Sequence, residues 1–263
     1  MKKPELSSRS NREPLYGVNP VLEALRGNRK IEEIVVAEGA HQDRLRELID
    51  LARAKNVPVS RAPRAGLDRA ARTTGHQGVV ARVAAARYAD ADELLESVAS
   101  RVGSSTEPLV VVLDGVEDPR NLGAILRTAE CAGVQGVFMG ERRAVGLTET
   151  VAKAAAGAVE YVPVARVTNL ARLIERLKER NVWVVGTAAD APLAYTEWDW
   201  TRSSAVVLGG EGAGLHRLVR ERCDALVRIP VSGRIESLNV SVAAGVVLYE
   251  AQRQRTMAKD KGT

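Results

Sequence analysis

Between residues 21 and 85 the spacing of apolar positions changes period several times. VLEALRG (21–27) and HQDRLRELIDLARAK (41–55) place Leu and Ile three and four apart, as an amphipathic helix does. Asn19-Pro20 supplies an N-cap followed by proline at the first helical position. IEEIVVAE (31–38), VPVS (57–60) and GVVARVAA (78–85) concentrate β-branched residues over strand lengths, and AGLDRAAR (65–72) reads as one more helix. These elements make a small α/β unit ending near Arg87.

ADADELLESVA (89–99) predicts a short helix and SRVGSSTEP (100–108) a loop or linker. A second alternation follows. Strands are expected at 109–115, 136–140, 182–188, 205–210 and 225–231, and helices at 120–132, 148–157, 168–180, 214–221 and 237–254. Short β-branched runs alternating with helices imply a parallel sheet covered on both faces. The expected organisation is a disordered polar tail (1–13), a first domain (14–88), a linker (89–106) and a second domain (107–263).

Composition narrows the class. No apolar run reaches the roughly 20 residues of a membrane helix, and the basic N-terminus lacks the apolar segment of a signal peptide. Two cysteines, Cys131 and Cys223, in 263 residues suit a reduced, cytoplasmic setting and a core that needs no disulfides. The net charge of +5 is unevenly placed. Residues 1–88 hold 17 Lys+Arg and 10 Asp+Glu, a net of +7, while the remaining 21 and 23 give −2. A basic first third suggests a polyanion-binding module, although solvated arginines would give the same count. Three Trp, five Tyr and one Phe are too few for rows of stacked bases. Contacts to phosphates and shape should therefore dominate any nucleic-acid binding.

Three clusters could carry chemistry. In LDGVEDPRNLGAILRTAECAGV (113–134), Leu122, Ile125, Leu126 and Ala129 form an apolar stripe, with Arg127 turned far from it. DPRN places polar groups where a strand's carboxyl end meets a helix N-terminus, a common ligand position in open α/β sheets. VVLGGEGAGL (206–215) sets glycines around Glu211, as needed where backbone turns tightly or nears a ligand. It is not G-x-G-x-x-G, since Leu215 occupies the last glycine position, which disfavours a dinucleotide-dependent oxidoreductase. IPVSGRIESLNVSVAAGVVLYEA (229–251) puts Ser237, Asn239 and Ser241 at the start of an apolar helix. Capping accounts for one of the three, and a buried polar pocket for the set. His41, His76 and His216 lack metal-ligand spacing. His76 reads as structural or RNA-facing, and Cys131 as a small core residue.

NLGAILRTAECAGV, LGGEGAGL and IPVSGRIESLNVSVA resemble, in order and spacing, the three motifs of the SpoU/TrmH family within the SPOUT methyltransferases. YGVNPVLEAL (16–25) and GHQGVVARV (75–83) resemble the ribosomal-protein-like substrate domain of its 23S rRNA guanosine-2′-O-methyltransferase subgroup. The resemblance implies an α/β fold with a C-terminal trefoil knot, against the general rarity of knots. It also implies S-adenosylmethionine as cofactor, an RNA substrate and a homodimer whose chains complete each other's sites, without metal or membrane. Thr187, Gly209, Glu211, Gly212, Ile229 and Leu238 would surround the cofactor. Asn121, Arg127, Glu211, Ser237 and Asn239 would form the catalytic set. The implied reaction is methyl transfer to a ribose 2′-hydroxyl, most naturally in rRNA processing. Rival readings are the same reaction on tRNA, an antibiotic-resistance rRNA methyltransferase, and a non-catalytic rRNA-binding assembly factor.

Overall fold

The computed structural model describes residues 12–260 apart from 28, 41, 85 and 143. Most of the tail expected over 1–13 lies outside the described residues, and Arg12 opens the first strand. The chain forms two units: residues up to 87 with 147–161, and residues 88–146 with 162 onward.

The first unit begins with β1 (Arg12–Tyr16), α1 (Val18–Arg26), β2 (Ile31–Ala37), α2 (Gln42–Ala54), β3 (Val59–Ala62), α3 (Arg64–Ala71) and β4 (Val79–Ala84). Its sheet runs β1-β4-β2-β3, antiparallel except for the parallel β2–β3 pair. The apolar faces read from α1 and α2 close over it, with Val21, Leu25, Leu45 and Leu48 packed on Ile34, Val79 and Val83. His76 is fully buried: Nδ1 accepts from the Gly78 N–H at 2.9 Å, leaving Nε2–H to donate to Asp68 at 2.9 Å. It is therefore structural.

The second unit starts with α4 (Ala91–Ala99), β5 (Leu109–Asp114), α5 (Pro119–Cys131) and β6 (Gly136–Gly140). Asp90 caps α4, and its Leu94, Leu95 and Val98 lie in the core of this unit. The first half of the expected linker (89–106) is thus a helix that buries one apolar face, because its apolar residues recur at helical spacing, while 100–106 is mostly exposed turn.

The chain then crosses into the first unit as α6 (Glu149–Ala154) and a 3₁₀ turn (Ala158–Glu160) before returning. Ala152 joins the core of the first unit. Arg29 and Glu160 pair at 3.2 Å with 6% and 9% of their side chains exposed, and Arg29 Nε donates to the Ala84 carbonyl at 2.7 Å. Burial raises the Glu160 carboxyl pKa, and Arg29 opposes the rise. Nothing in the local sequence of 147–161 marks this change of unit, which differs from the expected continuous domain over 107–263.

Back in the second unit come β7 (Val164–Val167), α7 (Leu170–Lys178), β8 (Trp183–Thr187), β9 (Leu193–Ala194), β10 (Ser204–Gly209), α8 (Arg217–Arg222), β11 (Ala225–Arg228) and α9 (Val240–Asp260). All pairs in the seven-stranded sheet β7-β6-β5-β10-β8-β11-β9 are parallel. Every residue of β5 is buried, as expected for a strand covered on both faces. β10 inserts between β5 and β8, both laid down earlier in the chain. The carboxyl ends of these three strands, Asp114, Gly209 and Thr187, consequently stand side by side. The last helix is tied down by Arg255, whose guanidinium donates to the carbonyls of Glu107, Pro108, Trp200 and Arg202.

Candidate active site

The expected stripe on α5 is buried in full, together with Asn121. Asp118 caps this helix by accepting from the Arg120 N–H at 2.7 Å, with Pro119 in the first turn. Asn121 is thereby freed from capping. Its amide Nδ2 donates to Glu211 Oε1, and its Oδ1 accepts from Asn239 Nδ2 at 3.1 Å. Asn239 Nδ2 also lies 3.3 Å from Glu211 Oε1, while Asn239 Oδ1 accepts from the Ser241 N–H at 2.9 Å and hydroxyl at 2.6 Å. One side chain therefore starts α9 and links two motifs 118 residues apart. The segment 231–239 is exposed throughout, Ser237 and Asn239 included, which corrects the expectation of a buried pocket: nothing within one chain covers it.

Two adjoining cavities flank this network. The larger, about 520 Å³, is lined by Thr187, Gly209, Glu211, Gly212, Ile229 and Leu238, and also by Ser237 and Asn239. The smaller, about 310 Å³, contains Asn121, Glu211, Asp114 and His216. Arg127 lines neither. Six residues beyond Asn121, it projects about 120° around the axis of α5 at 100° per residue, exposed to solvent.

The glycines act by two different means. A Cβ on Gly209 would stand 2.2 Å from the Gly214 carbonyl carbon, and one on Gly210 would stand 2.1 Å from the Gly115 oxygen. Both positions are closed by the protein's own backbone. Gly212 and Gly214 have open surroundings but positive φ, +84° and +64°.

Sequence reasoning missed the partnership of Asp114 and His216. The His216 backbone N–H donates to Asp114 Oδ2 at 2.7 Å, and its Nδ1 stands 2.8 Å from Oδ1. The clue was a lone acid ending the buried run LVVVLD. Missed as well were Asp190 and Arg220, paired twice at 2.9 Å on the wall of the larger cavity, and Glu236, which lines the same cavity. Cys131 is exposed, not core as expected. Among the described residues, no group of three His, Cys, Asp or Glu could hold a metal ion, and no helix is long and apolar enough to cross a membrane.

An open parallel sheet with a ligand cavity walled by glycine turns at its central strand ends defines a class of α/β proteins that bind a small organic ligand there. Residues 108–249 match the SpoU rRNA methylase family, and residues 14–89 match the RNA 2′-O ribose methyltransferase substrate-binding domain. YacO of Bacillus subtilis, named as a TrmH family tRNA/rRNA methyltransferase, is 46% identical over 92% of this chain and 95% of its own. An AdoMet-bound rRNA methyltransferase from Sinorhizobium meliloti superposes with a TM-score of 0.74 at 28% identity, covering 92% of this chain and 87% of its own. The fold also matches AviRb of Streptomyces viridochromogenes, a SpoU methyltransferase solved with AdoMet: TM-score 0.77, 24% identity, 94% and 92% coverage. The chain belongs to the SpoU/TrmH family of RNA 2′-O-ribose methyltransferases, and its cofactor is S-adenosylmethionine. The larger cavity fits that cofactor chemically: Leu208, Val227, Ile229 and Leu238 give apolar walls for a purine, with carboxylates and Arg220 at the rim for a zwitterionic amino-acid group.

Proposed function

We propose that this protein methylates a ribose 2′-hydroxyl of ribosomal RNA, a guanosine of 23S rRNA, as a cytoplasmic homodimer with a knotted catalytic domain. The observation that carries the reading is the Asn121–Glu211–Asn239 network, which sits between the two cavities and touches both. The likeness of almost the whole chain to an rRNA methyltransferase supports rRNA over tRNA.

In this reading Thr187, Gly209, Gly212, Ile229 and Leu238 hold the cofactor, and Glu211 borders it. Bound S-adenosylmethionine supplies an electrophilic methyl group on a sulfonium. The protein must then align the 2′-oxygen opposite the departing sulfur at about 3–3.5 Å, where orientation supplies much of the rate. Asn121 and Ser237 orient the ribose, while Asn239 and Glu211 fix the Asn121 amide. Guanidinium pKa values of about 12.5–13.8 make Arg127 a poor base, and a neighbouring phosphate raises them further. Arg127 instead stays charged, grips an RNA phosphate and stabilises the negative charge developing on the 2′-oxygen. The proton of that oxygen passes to solvent water as the oxygen–methyl bond forms and the sulfur–methyl bond breaks.

The position of Arg127 supports a homodimer in which this side chain serves the partner's site. Val242 and Tyr249, seven apart on α9, are 51% and 50% exposed, and Ile235 is 77% exposed. Such an apolar surface suits burial against a second copy. The test is to incubate the protein with methyl-labelled cofactor and with rRNA from a strain lacking the enzyme, then map alkali-resistant linkages. Label at one rRNA ribose is expected. Label in tRNA alone would overturn the substrate, and a monomer by light scattering would overturn the dimer.

A further inference from the structure

The acids of the first unit are committed unevenly. Arg26 pairs with Glu23 and Glu47, Arg29 with Glu160, Arg53 with Asp50 and Arg82 with Glu33. Between residues 61 and 72 stand four arginines and one acid, Asp68, and that acid is taken by His76. Arg61, Arg64, Arg69 and Arg72 are all exposed and, among the described residues, none of the four side chains has an ion-pair or hydrogen-bond partner. Glu38 is the nearest other carboxylate in the sheet register, its backbone N–H donating to the Ala62 carbonyl at 2.9 Å, yet its side chain neutralises none of the four.

The surface they occupy is held rigidly. Arg72 ends α3 in the left-handed conformation (φ 51°), and Gln77 (φ 54°) and Gly78 (φ +81°) bend the chain again. Between the bends, Thr73 Oγ1 accepts from the Gly75 N–H at 3.1 Å, and Gln77 Oε1 accepts from the Val18 N–H at 3.1 Å. Lys153 of α6 reaches the same turn. Its Nζ lies 3.7 Å from the Cβ position of Gly75, 3.3 Å from Tyr16 Oη and 4.5 Å from that ring's centroid.

Resting on the reading that the first unit engages RNA, we propose that α3, the 72–75 turn and Lys153 form its phosphate-binding face, read by charge and shape and not by base identity. Uncompensated guanidinium groups on a fixed surface gain more from phosphates than from water, since Arg presents a planar fork matched to phosphate oxygens. The aromatic ring of Tyr16 beside them is taken up by packing against α3 and by Lys153, which points to backbone contacts. Lys153 adds a fifth cation from a part of the chain remote in sequence.

The test uses the full-length protein and an rRNA fragment it methylates. Each neutralised phosphate contributes about 0.7–0.9 to the slope of log affinity against log salt. Arg64→Gln, Arg69→Gln and Arg72→Gln combined should flatten that slope by about 2–3 and weaken binding at least tenfold at low salt. Lys153→Met alone should flatten it by about 1. Cofactor affinity and melting temperature should stay those of the wild type. Arg101→Gln with Arg172→Gln, exposed arginines of the second unit, should leave the slope unchanged. A triple variant with the wild-type slope would overturn this face while leaving the methyltransferase reading intact. Failure of the wild type to bind rRNA at all would overturn both.

Discussion

Asn239 donates to Asn121 at 3.1 Å, joining the start of the last helix to the helix that follows β5. Both amides converge on one oxygen of Glu211. Hydrogen bonds to a charged group are worth about 1.5–3 kcal/mol, and about 1.4 kcal/mol is tenfold in rate. Asn239→Ala should therefore slow methyl transfer about ten- to hundredfold, chiefly in kcat, if the Asn121 amide that it orients faces the ribose as proposed. Asn121→Asp should be worse, placing two carboxylates together. Single-turnover methylation at saturating cofactor reads the effect, and a loss confined to KM for RNA would contradict the positioning role.

Arg127→Ala is expected to reduce methylation by at least about 10²–10³-fold, the scale of removing one oxyanion-type donor. Cofactor affinity should change less than threefold, since Arg127 lines neither cavity. Arg127→Lys keeps the charge but not the fork and should recover part of the rate. A steep rise of rate with pH in the lysine variant would restore a base role to this position. In mixed dimers, Arg127→Ala paired with a cofactor-site variant should regain one working site if Arg127 acts across the interface.

Glycines two residues apart should respond differently to the same change. Gly210→Ala puts a methyl group where the Gly115 carbonyl oxygen stands, so the 209–216 turn or the end of β5 must move. Cofactor binding should weaken more than tenfold and the melting temperature should fall. Gly212→Ala meets no atom and costs only the strain of a positive φ, about 1–2 kcal/mol. Calorimetric titration with cofactor separates the two, and equal losses would contradict the close-approach argument.

The two thiols should also differ. Burial pushes Cys223 from the ordinary 9.0 up to about 12, with Asp224 adding to the rise, and its Sγ faces the Val219 carbonyl at 3.3 Å. The native state therefore keeps this proton after the unfolded chain has lost it. The associated stability is intact below about pH 9 and is lost as pH climbs toward 12. At pH 8, a thiol reagent should modify only the exposed Cys131 in the folded protein and both after denaturation. Cys223→Ala should flatten the alkaline loss of stability, as monitored by denaturant titration.

Periodicity carried much of this structure because the information is local. The α5 stripe, the buried β5 run and the helical spacing in 91–99 each report their own surroundings. β7 escaped notice since VARV offers four residues, one of them charged. The end of α9 escaped because QRQRTMAKD has a solvent-like composition, while Gln254 and Arg255 in fact hold backbone carbonyls more than fifty residues away in sequence. In the site, glycine spacing announced a tight turn but not what closes it. The tie between Asp114 and His216 spans 102 residues, and no local pattern encodes it.

The excursion through 147–161 matters for how the molecule can be made and divided. Gly157 admits no side chain because Glu23 Cβ would stand 2.3 Å from it, so the early helix α1 is shaped to receive a strand of chain synthesised more than a hundred residues later. On the ribosome, the first unit must wait for the middle of the second before its surface is whole. No single cut separates them into two finished parts: a fragment ending at residue 88 would lack Lys153 and the partner of Arg29, and its complement would carry an orphaned helix. Gene fusion or exchange at that boundary would have had to change both sides at once.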